Sequence, residues 1–473
     1  MMKMKHLILA GCMLAGVSAQ AQNEPYVKET DPLVLEKLEA WQDWKFGLMM
    51  HWGTYSQWGI VESWSLCPED EGWTQRQPAG IPYYDYVKKY EALPNTFNPV
   101  NFDPAKWATA AKKAGMKYMV FTTKHHDGFN MFDTKQSDYK ITAPNVPFSK
   151  DPRADVTKEV FNAFRKEGIH IGAYFSKPDW HVDSYWWDYF PPKDRNPSYE
   201  LAKYPERWNA FKKFTFNQIQ ELMTGYGKVD ILWLDGGWVR PLNMHTKESL
   251  SWNKTPAQDQ DIDMPGITAM ARKNQPGLIV VDRSVHGPYE NYRTPEQTIP
   301  DKPLDYPWET CMTMGGSWSY VPNDQYKPTT AIIHNLVDIV AKGGNYLLNI
   351  GPGPDGTWHE EAYRKLDSIG SWMQVNGNAI YGTRSVAPYK DGKVCFTQKR
   401  DGSIYAIYLL DAGEQLPAVI RFNGIQPKKG AKIQLLGYKG KLSWKAQDGA
   451  VEIRIPAAAQ KAGLRYAAAI QLQ

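Results

Sequence analysis

Val229-Asp230-Ile231-Leu232-Trp233-Leu234-Asp235-Gly236-Gly237 is a short apolar run of β-forming residues that stops at a carboxylate and two glycines. It is too short for an ordinary helix and has the length of a buried strand, and the stretch before it, Trp208 to Met223, has helical spacing. The same helix-then-strand unit recurs on both sides. Pro104 to Ala114 reads as a helix with proline at its start and Gly115 at its end, followed by a strand from Met116 to Phe121 and then Lys124-His125-His126-Asp127. Val156 to Lys166 reads as a helix ended by Gly168, with a strand from Ile169 to Phe175. Leu278 to Val281 runs into Asp282-Arg283, Phe46 to Met50 into His51, and Tyr346 to Ile350 into Gly351-Pro352.

Strands that recur roughly every fifty residues, each preceded by a helix, are parallel strands joined by helical crossovers, and this length suits a (β/α)8-like, TIM-type barrel. A doubly wound sheet is the alternative. The barrel is favoured because every strand ends in side chains able to do chemistry, and barrel enzymes build their sites at strand C-termini. After Arg384 the pattern changes to short alternating strands around turn dipeptides: Val394 to Thr397, Ser403 to Tyr408 after Asp401-Gly402, and Val451, Ile453 and Ile455 after Asp448-Gly449. This predicts a small C-terminal antiparallel β-sandwich over 385–473, behind a barrel over 22–384.

The 473 residues are too many for one small core, and 42% hydrophobic with 22% charged residues is a globular composition. The net charge of +4 is dispersed, which argues against a nucleic-acid partner. Beyond the first residues no apolar run is long enough to span a bilayer. Lys3 and Lys5, the apolar stretch Leu7 to Val17 and Ala19-Gln20-Ala21 fit a secretory signal peptide over 1–21, hence a secreted or periplasmic protein. Leu9-Ala10-Gly11-Cys12 also fits a lipid-anchor site, ranked second because the apolar stretch continues past Cys12. The remaining Cys67, Cys311 and Cys395 are an odd, widely spaced set and read as buried thiols. Nineteen tryptophans suit either a large core or a surface for the C–H faces of sugars.

Asp235, after its strand and before two glycines, has the address of a nucleophile at a barrel mouth, although an isolated Leu-Asp-Gly-Gly also suits a loop cap. A glycosidase needs a second carboxyl group. Of Glu290, Glu296 and Glu309, Glu296 in Thr294-Pro295-Glu296-Gln297 is preferred and Glu290 comes second. His51, His125 and His126 read as hydrogen-bond donors to sugar hydroxyls rather than metal ligands, because neighbours on a strand point to opposite sides and cannot easily share one metal shell. His170 and His334 read as buried histidines satisfied by backbone. The glycine-rich turns at 343–345 and 351–356 lack the ending of a phosphate loop and read as tight turns, so no nucleotide site is expected.

Phe46-Gly47-Leu48-Met49-Met50-His51-Trp52-Gly53-Thr54-Tyr55-Ser56, Thr123-Lys124-His125-His126-Asp127-Gly128-Phe129, Trp233-Leu234-Asp235-Gly236 and Gly343 to Pro352 together resemble the α-L-fucosidases of glycoside hydrolase family 29. The resemblance covers nearly the whole mature chain. It implies a barrel with a C-terminal sandwich, no cofactor, and an exo-acting, retaining double displacement through a covalent fucosyl-enzyme. The substrate would be a fucosylated oligosaccharide or glycoconjugate. Carried over by motif, Asp235 is the nucleophile, His51, His125 and His126 bind fucose hydroxyls, Trp64 lines the pocket, and Tyr174 and Arg283 lie beside the nucleophile. Trp233 or Trp318 would wall the apolar 5-substituent. Glu296 would be the acid/base, its pKa raised by burial or by a nearby carboxylate. Some relatives have Glu directly before the pocket tryptophan, whereas this chain has Ser63 before Trp64. The rival readings are another retaining exo-glycosidase such as an α-galactosidase, and a non-catalytic carbohydrate-binding protein. The sequence is silent on oligomeric state.

Overall fold

The computed structural model describes residues 25–69, 74, 76, 80–428, 430–460 and 464–472. The expected leader over 1–21 and the alternative lipid site at Cys12 lie outside them. Among the described residues no helix is long and apolar enough to cross a membrane.

Seven parallel strands form the first sheet: β1 Phe46–Met50, β2 Tyr118–Lys124, β3 His170–Ser176, β4 Ile231–Asp235, β5 Ile279–Asp282, β6 Glu309–Thr313 and β7 Asn345–Asn349. Their order, β5-β4-β3-β2-β1-β7-β6, runs round a ring in chain sequence, with a single unladdered seam between β5 and β6. A doubly wound sheet has no such cyclic order, so the barrel reading holds. Alternation along each strand divides its residues between two cores. Phe46, Leu48 and Met50, Met119 and Phe121, and Leu232 and Leu234 face the surrounding helices. Met49, Tyr118, Val120, Tyr174, Ile231, Trp233, Ile279, Val281, Cys311 and Leu347 form an inner core. Leu38, Trp41 and Trp44 of the helix Pro32–Trp44 join that inner core.

The seam is filled by irregular chain. Residues 290–297 bridge Val281 of β5 through Glu290, Trp308 through Arg293 and Cys311 of β6 through Glu296. Backbone bonds from Asn291 to Val280 (2.9 Å) and from Gln297 to Cys311 (2.9 Å) bind the segment on both sides. This segment stands where an eighth strand of the expected (β/α)8 pattern would lie.

The helices at Pro104–Ala114 and Val156–Lys166 are as read, the first ending at Gly115 in the left-handed region (φ 90°). Four strands begin one or two residues later than the apolar runs suggested and extend further into the polar residues. β2 runs to Lys124, β3 to Ser176, β4 to Asp235 and β5 to Asp282, because parallel pairing continues up to the loops that carry the site.

Among the described residues eight further strands follow: β8 Thr383–Asp391, β9 Val394–Lys399, β10 Ile404–Leu409, β11 Val419–Asn423, β12 Gln434–Leu435, β13 Ser443–Gln447, β14 Ala450–Arg454 and β15 Ala467–Gln471. They make a five-stranded sheet, β12-β15-β10-β9-β8, and a three-stranded one, β11-β14-β13, with antiparallel pairing. Both contribute to one apolar core that includes Phe396, Phe422, Leu435, Ile453 and Ile470. His334 touches the Leu410 and Tyr466 carbonyls, so its ring is satisfied by backbone as expected. His170 is not: it is partly exposed, stacks on Trp44 at 3.8 Å and lies 3.5 Å from Asp230. Cys67, Cys311 and Cys395 are free and buried.

Candidate active site

The strand C-termini converge on Asp235. Lys177 at the end of β3 donates its backbone N–H to the Asp235 carbonyl (2.9 Å). Gly236 takes φ +87°, and a Cβ there would lie 2.2 Å from Pro178, so only glycine lets the chain leave the strand here. The carboxylate, 16% exposed, accepts the Tyr174 hydroxyl at 2.7 Å on Oδ2 and the Arg283 guanidinium at 3.1 Å on Oδ1; His126 Nε2 stands 3.9 Å from Oδ2. Burial pushes this carboxyl up, but the Arg283 charge first, with the Tyr174 hydroxyl and the Gly236 N–H, holds it well below the usual carboxylate range. Asp235 is therefore a fixed anion at neutral pH.

Arg283 serves two carboxylates. Its other terminal nitrogen is paired with Glu296, whose second oxygen accepts the Trp318 indole N–H (3.1 Å). Two carboxylates that share one guanidinium are neighbours, the arrangement needed by a retaining pair about 5–5.5 Å apart. Glu296 is 41% exposed, so the burial expected to keep it protonated is absent: its segment lies at the open mouth of the seam. Glu290, the second choice, is tied instead to His286 (2.8 Å) and Arg293 (3.5 Å).

Three imidazoles face the same space. Burial pushes His51 down to about 4, His125 well below its ordinary value and His126 to about 3, so all three are neutral at pH 7. Asn349 donates its amide to the Trp318 carbonyl (2.7 Å), which turns its oxygen to accept His51 Nδ1–H (2.8 Å). His51 thus offers Nε2 as an acceptor. Ser63 Oγ accepts the Asp127 N–H (2.9 Å) and lies 2.5 Å from His125 Nδ1; with its O–H donating to that nitrogen, His125 offers Nε2–H as a donor.

The ground for setting the metal reading aside does not survive. The His125 and His126 rings lie on the same side, 4.2 Å apart, because β2 ends at Lys124 and the chain turns, with Gly128 donating to the His125 carbonyl. His125, His126 and Asp235 place ligand atoms within 4.8 Å of one another, so among the described residues they could hold a cation here. The fixed positive charge of Arg283 on Asp235 opposes one.

Trp64 meets His126 edge-on at 5.4 Å and packs with Trp180 and Trp238. Trp318 is partly exposed, 5.2 Å from His51. Trp233 does not form the wall expected of it. One face is covered by Tyr174 (5.3 Å, 21° between planes), the Arg283 guanidinium lies 5.4 Å from its ring, and its N–H is turned inward to Glu309. It supports the pocket from below.

Glu62 was missed in the sequence. It is buried, accepts the Ser319 N–H (3.0 Å), and burial, with the negative charges of Glu296 and Asp235, pushes it up to about 8. The signal was present: an acid stands two residues before Trp64 rather than one.

The family model for Alpha-L-fucosidase matches residues 13–378. The chain is 30% identical over 438 residues to a mouse tissue alpha-L-fucosidase, covering 86% of this chain and 85% of that protein. It is 29% identical over 450 residues to the human tissue enzyme, covering 89% and 85%. Among solved structures, alpha-L-fucosidase isoenzyme 1 from Paenibacillus thiaminolyticus superposes with a TM-score of 0.73 at 29% identity, over 93% of this chain and 99% of that one. The Thermotoga maritima alpha-fucosidase superposes with a TM-score of 0.70 at 26% identity, over 94% and 100%. With a family match across most of its length and a carboxylate pair held at a barrel mouth, the chain belongs to the alpha-L-fucosidase family of glycoside hydrolases.

Proposed function

We propose that the protein is an exo-acting α-L-fucosidase that works with retention, Asp235 attacking the anomeric carbon and Glu296 acting first as acid and then as base. The observation that carries this reading is the single Arg283 guanidinium shared by both carboxylates. It keeps Asp235 ionised for attack and places Glu296 across a narrow gap from it. His51, His125 and His126, all neutral, match sugar hydroxyls as a mixed set of acceptors and donors, and Trp64 and Trp318 supply apolar walls for the ring and its 5-substituent. A terminal fucosyl unit on an oligosaccharide or glycoconjugate fits a pocket whose floor is closed by Tyr174 and Trp233.

The first step requires Asp235 ionised and Glu296 carrying a proton. Attack by Asp235 forms the glycosyl–Oδ bond as the aglycone leaves with the proton from Glu296. The resulting Glu296 carboxylate then takes a proton from water, which attacks the same carbon and frees Asp235. The test is a panel of aryl glycosides with the product anomer followed by NMR. Turnover of the α-L-fucoside with α-L-fucose released first supports the reading. Turnover of galactosides instead, or β-L-fucose as first product, overturns it. The leader-like pattern at 1–21 supports export, checked by determining the N-terminal residue of the protein recovered from the periplasm or medium.

A further inference from the structure

Glu309 is a carboxyl with no exposure, at the start of β6 and inside the barrel, one layer below the pocket. It accepts the hydroxyl of Tyr118 from β2 and the indole N–H of Trp233 from β4 (3.3 Å), and the Tyr292 hydroxyl of the seam segment faces it as well. The chain is shaped to allow this. Gly47 of β1 has no side chain because a Cβ there would lie 2.5 Å from the Tyr118 ring, which reaches across the barrel to Glu309. Burying a carboxyl is costly unless its oxygens are bonded, and an apolar residue would fill this inner core without that cost. Above it, the rings of Trp233, Tyr174 and His125 form a near-parallel column, with steps of 5.3 Å and 5.7 Å, and Arg283 lies over Trp233. Tyr174 and Arg283 are the side chains that bond the Asp235 carboxylate.

We propose that Glu309 is a positioning residue for the hydrolytic reaction: by accepting the Trp233 N–H it fixes the ring on which Tyr174 and Arg283 rest, and through them the orientation of Asp235. This rests on Asp235 being the nucleophile. Burial pushes Glu309 up to about 7, and in either protonation state one oxygen remains to accept the indole N–H.

Three variants test it on an aryl α-L-fucoside, with kcat taken per folded molecule and folding checked by Tm. Trp233→Phe keeps a ring and removes the N–H, Glu309→Leu removes the acceptor, and Glu309→Gln retains an acceptor oxygen for Trp233 and can turn its amide towards Tyr118. The expected result is a loss of about tenfold in kcat for Trp233→Phe and Glu309→Leu with KM little changed, and near-normal kcat for Glu309→Gln. A full kcat in Trp233→Phe overturns the proposal, as does a Glu309→Gln variant as slow as Glu309→Leu. If Glu309→Leu does not fold, Trp233→Phe decides. Asp235→Ala runs alongside: turnover surviving in it removes the nucleophile and this proposal together, whereas an inactive Asp235→Ala beside a fully active Trp233→Phe removes this proposal alone.

Discussion

The two carboxylates of the site are built by opposite means. Asp235 ends a laddered strand, is fixed by Tyr174 and Arg283, and stands on an inner core of close-packed rings. Glu296 sits on irregular chain that fills the seam between β5 and β6, is 41% exposed, and is oriented by Arg283 and Trp318. A nucleophile must meet one carbon at one angle, and rigidity serves it. An acid that becomes a base must meet first a leaving oxygen and then a water, and a looser mounting suits two positions.

The largest effect that would break this contrast is loss of the rigid partner: Asp235→Ala is expected to lower turnover by roughly a thousand-fold or more with Tm nearly unchanged. Glu296→Ala should lose about a hundred-fold, less on substrates with an activated leaving group, and added azide should recover part of the rate. Recovery seen with Asp235→Ala but not with Glu296→Ala would weaken the assignment of the acid/base. Arg283→Lys keeps the charge but gives up the fork that reaches both carboxylates, and should lower kcat/KM by about tenfold. An equal rate in that variant would show that the shared guanidinium does not organise the pair.

The smallest effect concerns Glu62. Burial first, and the charges of Glu296 and Asp235 next, raise it to about 8 in the fold, against 4.5 for a free glutamate. A carboxyl so raised contributes stability that is fully present below pH 4.5 and is lost as pH rises through about 8. Glu62→Gln does not titrate, so its Tm should fall less between pH 5 and pH 8 than that of the parent protein. Glu309, raised to about 7, leaves a residual slope in both. Parallel Tm curves for parent and variant would show that Glu62 is ionised in the fold.

The same contrast explains what could be read from the sequence. Asp235 was legible because an apolar run followed by Asp-Gly-Gly states a strand, an exit and a reason for the glycines within nine residues. His51, His125 and Arg283 follow strands for the same reason, and His126 comes next to one of them. β6 was not read, because Glu309-Thr310-Cys311-Met312-Thr313 has three polar residues in five and no apolar run. That same polarity is what the Glu309 cluster requires. Trp233, one of two alternatives for the wall, lies under Tyr174, and a strand sequence gives the alternation of faces but not which ring lies over it. The same-side placement of His125 and His126 depends on where β2 stops, a boundary set by tertiary pairing rather than by propensity. Glu62 escaped notice because a fixed offset from Trp64 was assumed, whereas a short 3-10 turn from Ser63 to Leu66 sets the register there.

The unladdered seam also bears on how such a barrel can change. Residues in a strand pair are locked in register, so an insertion there displaces every side chain downstream of it. Residues 290–297 belong to no strand: one backbone bond joins them to Val280 on the β5 side, and four join them to residues 307–311 on the β6 side. Length can therefore be gained or lost within this segment while β5, β6 and the ring of strands keep their alignment. On the proposed mechanism, the proton-handling half of the site can then be re-tuned for different aglycones, while the half that would form the covalent bond stays anchored.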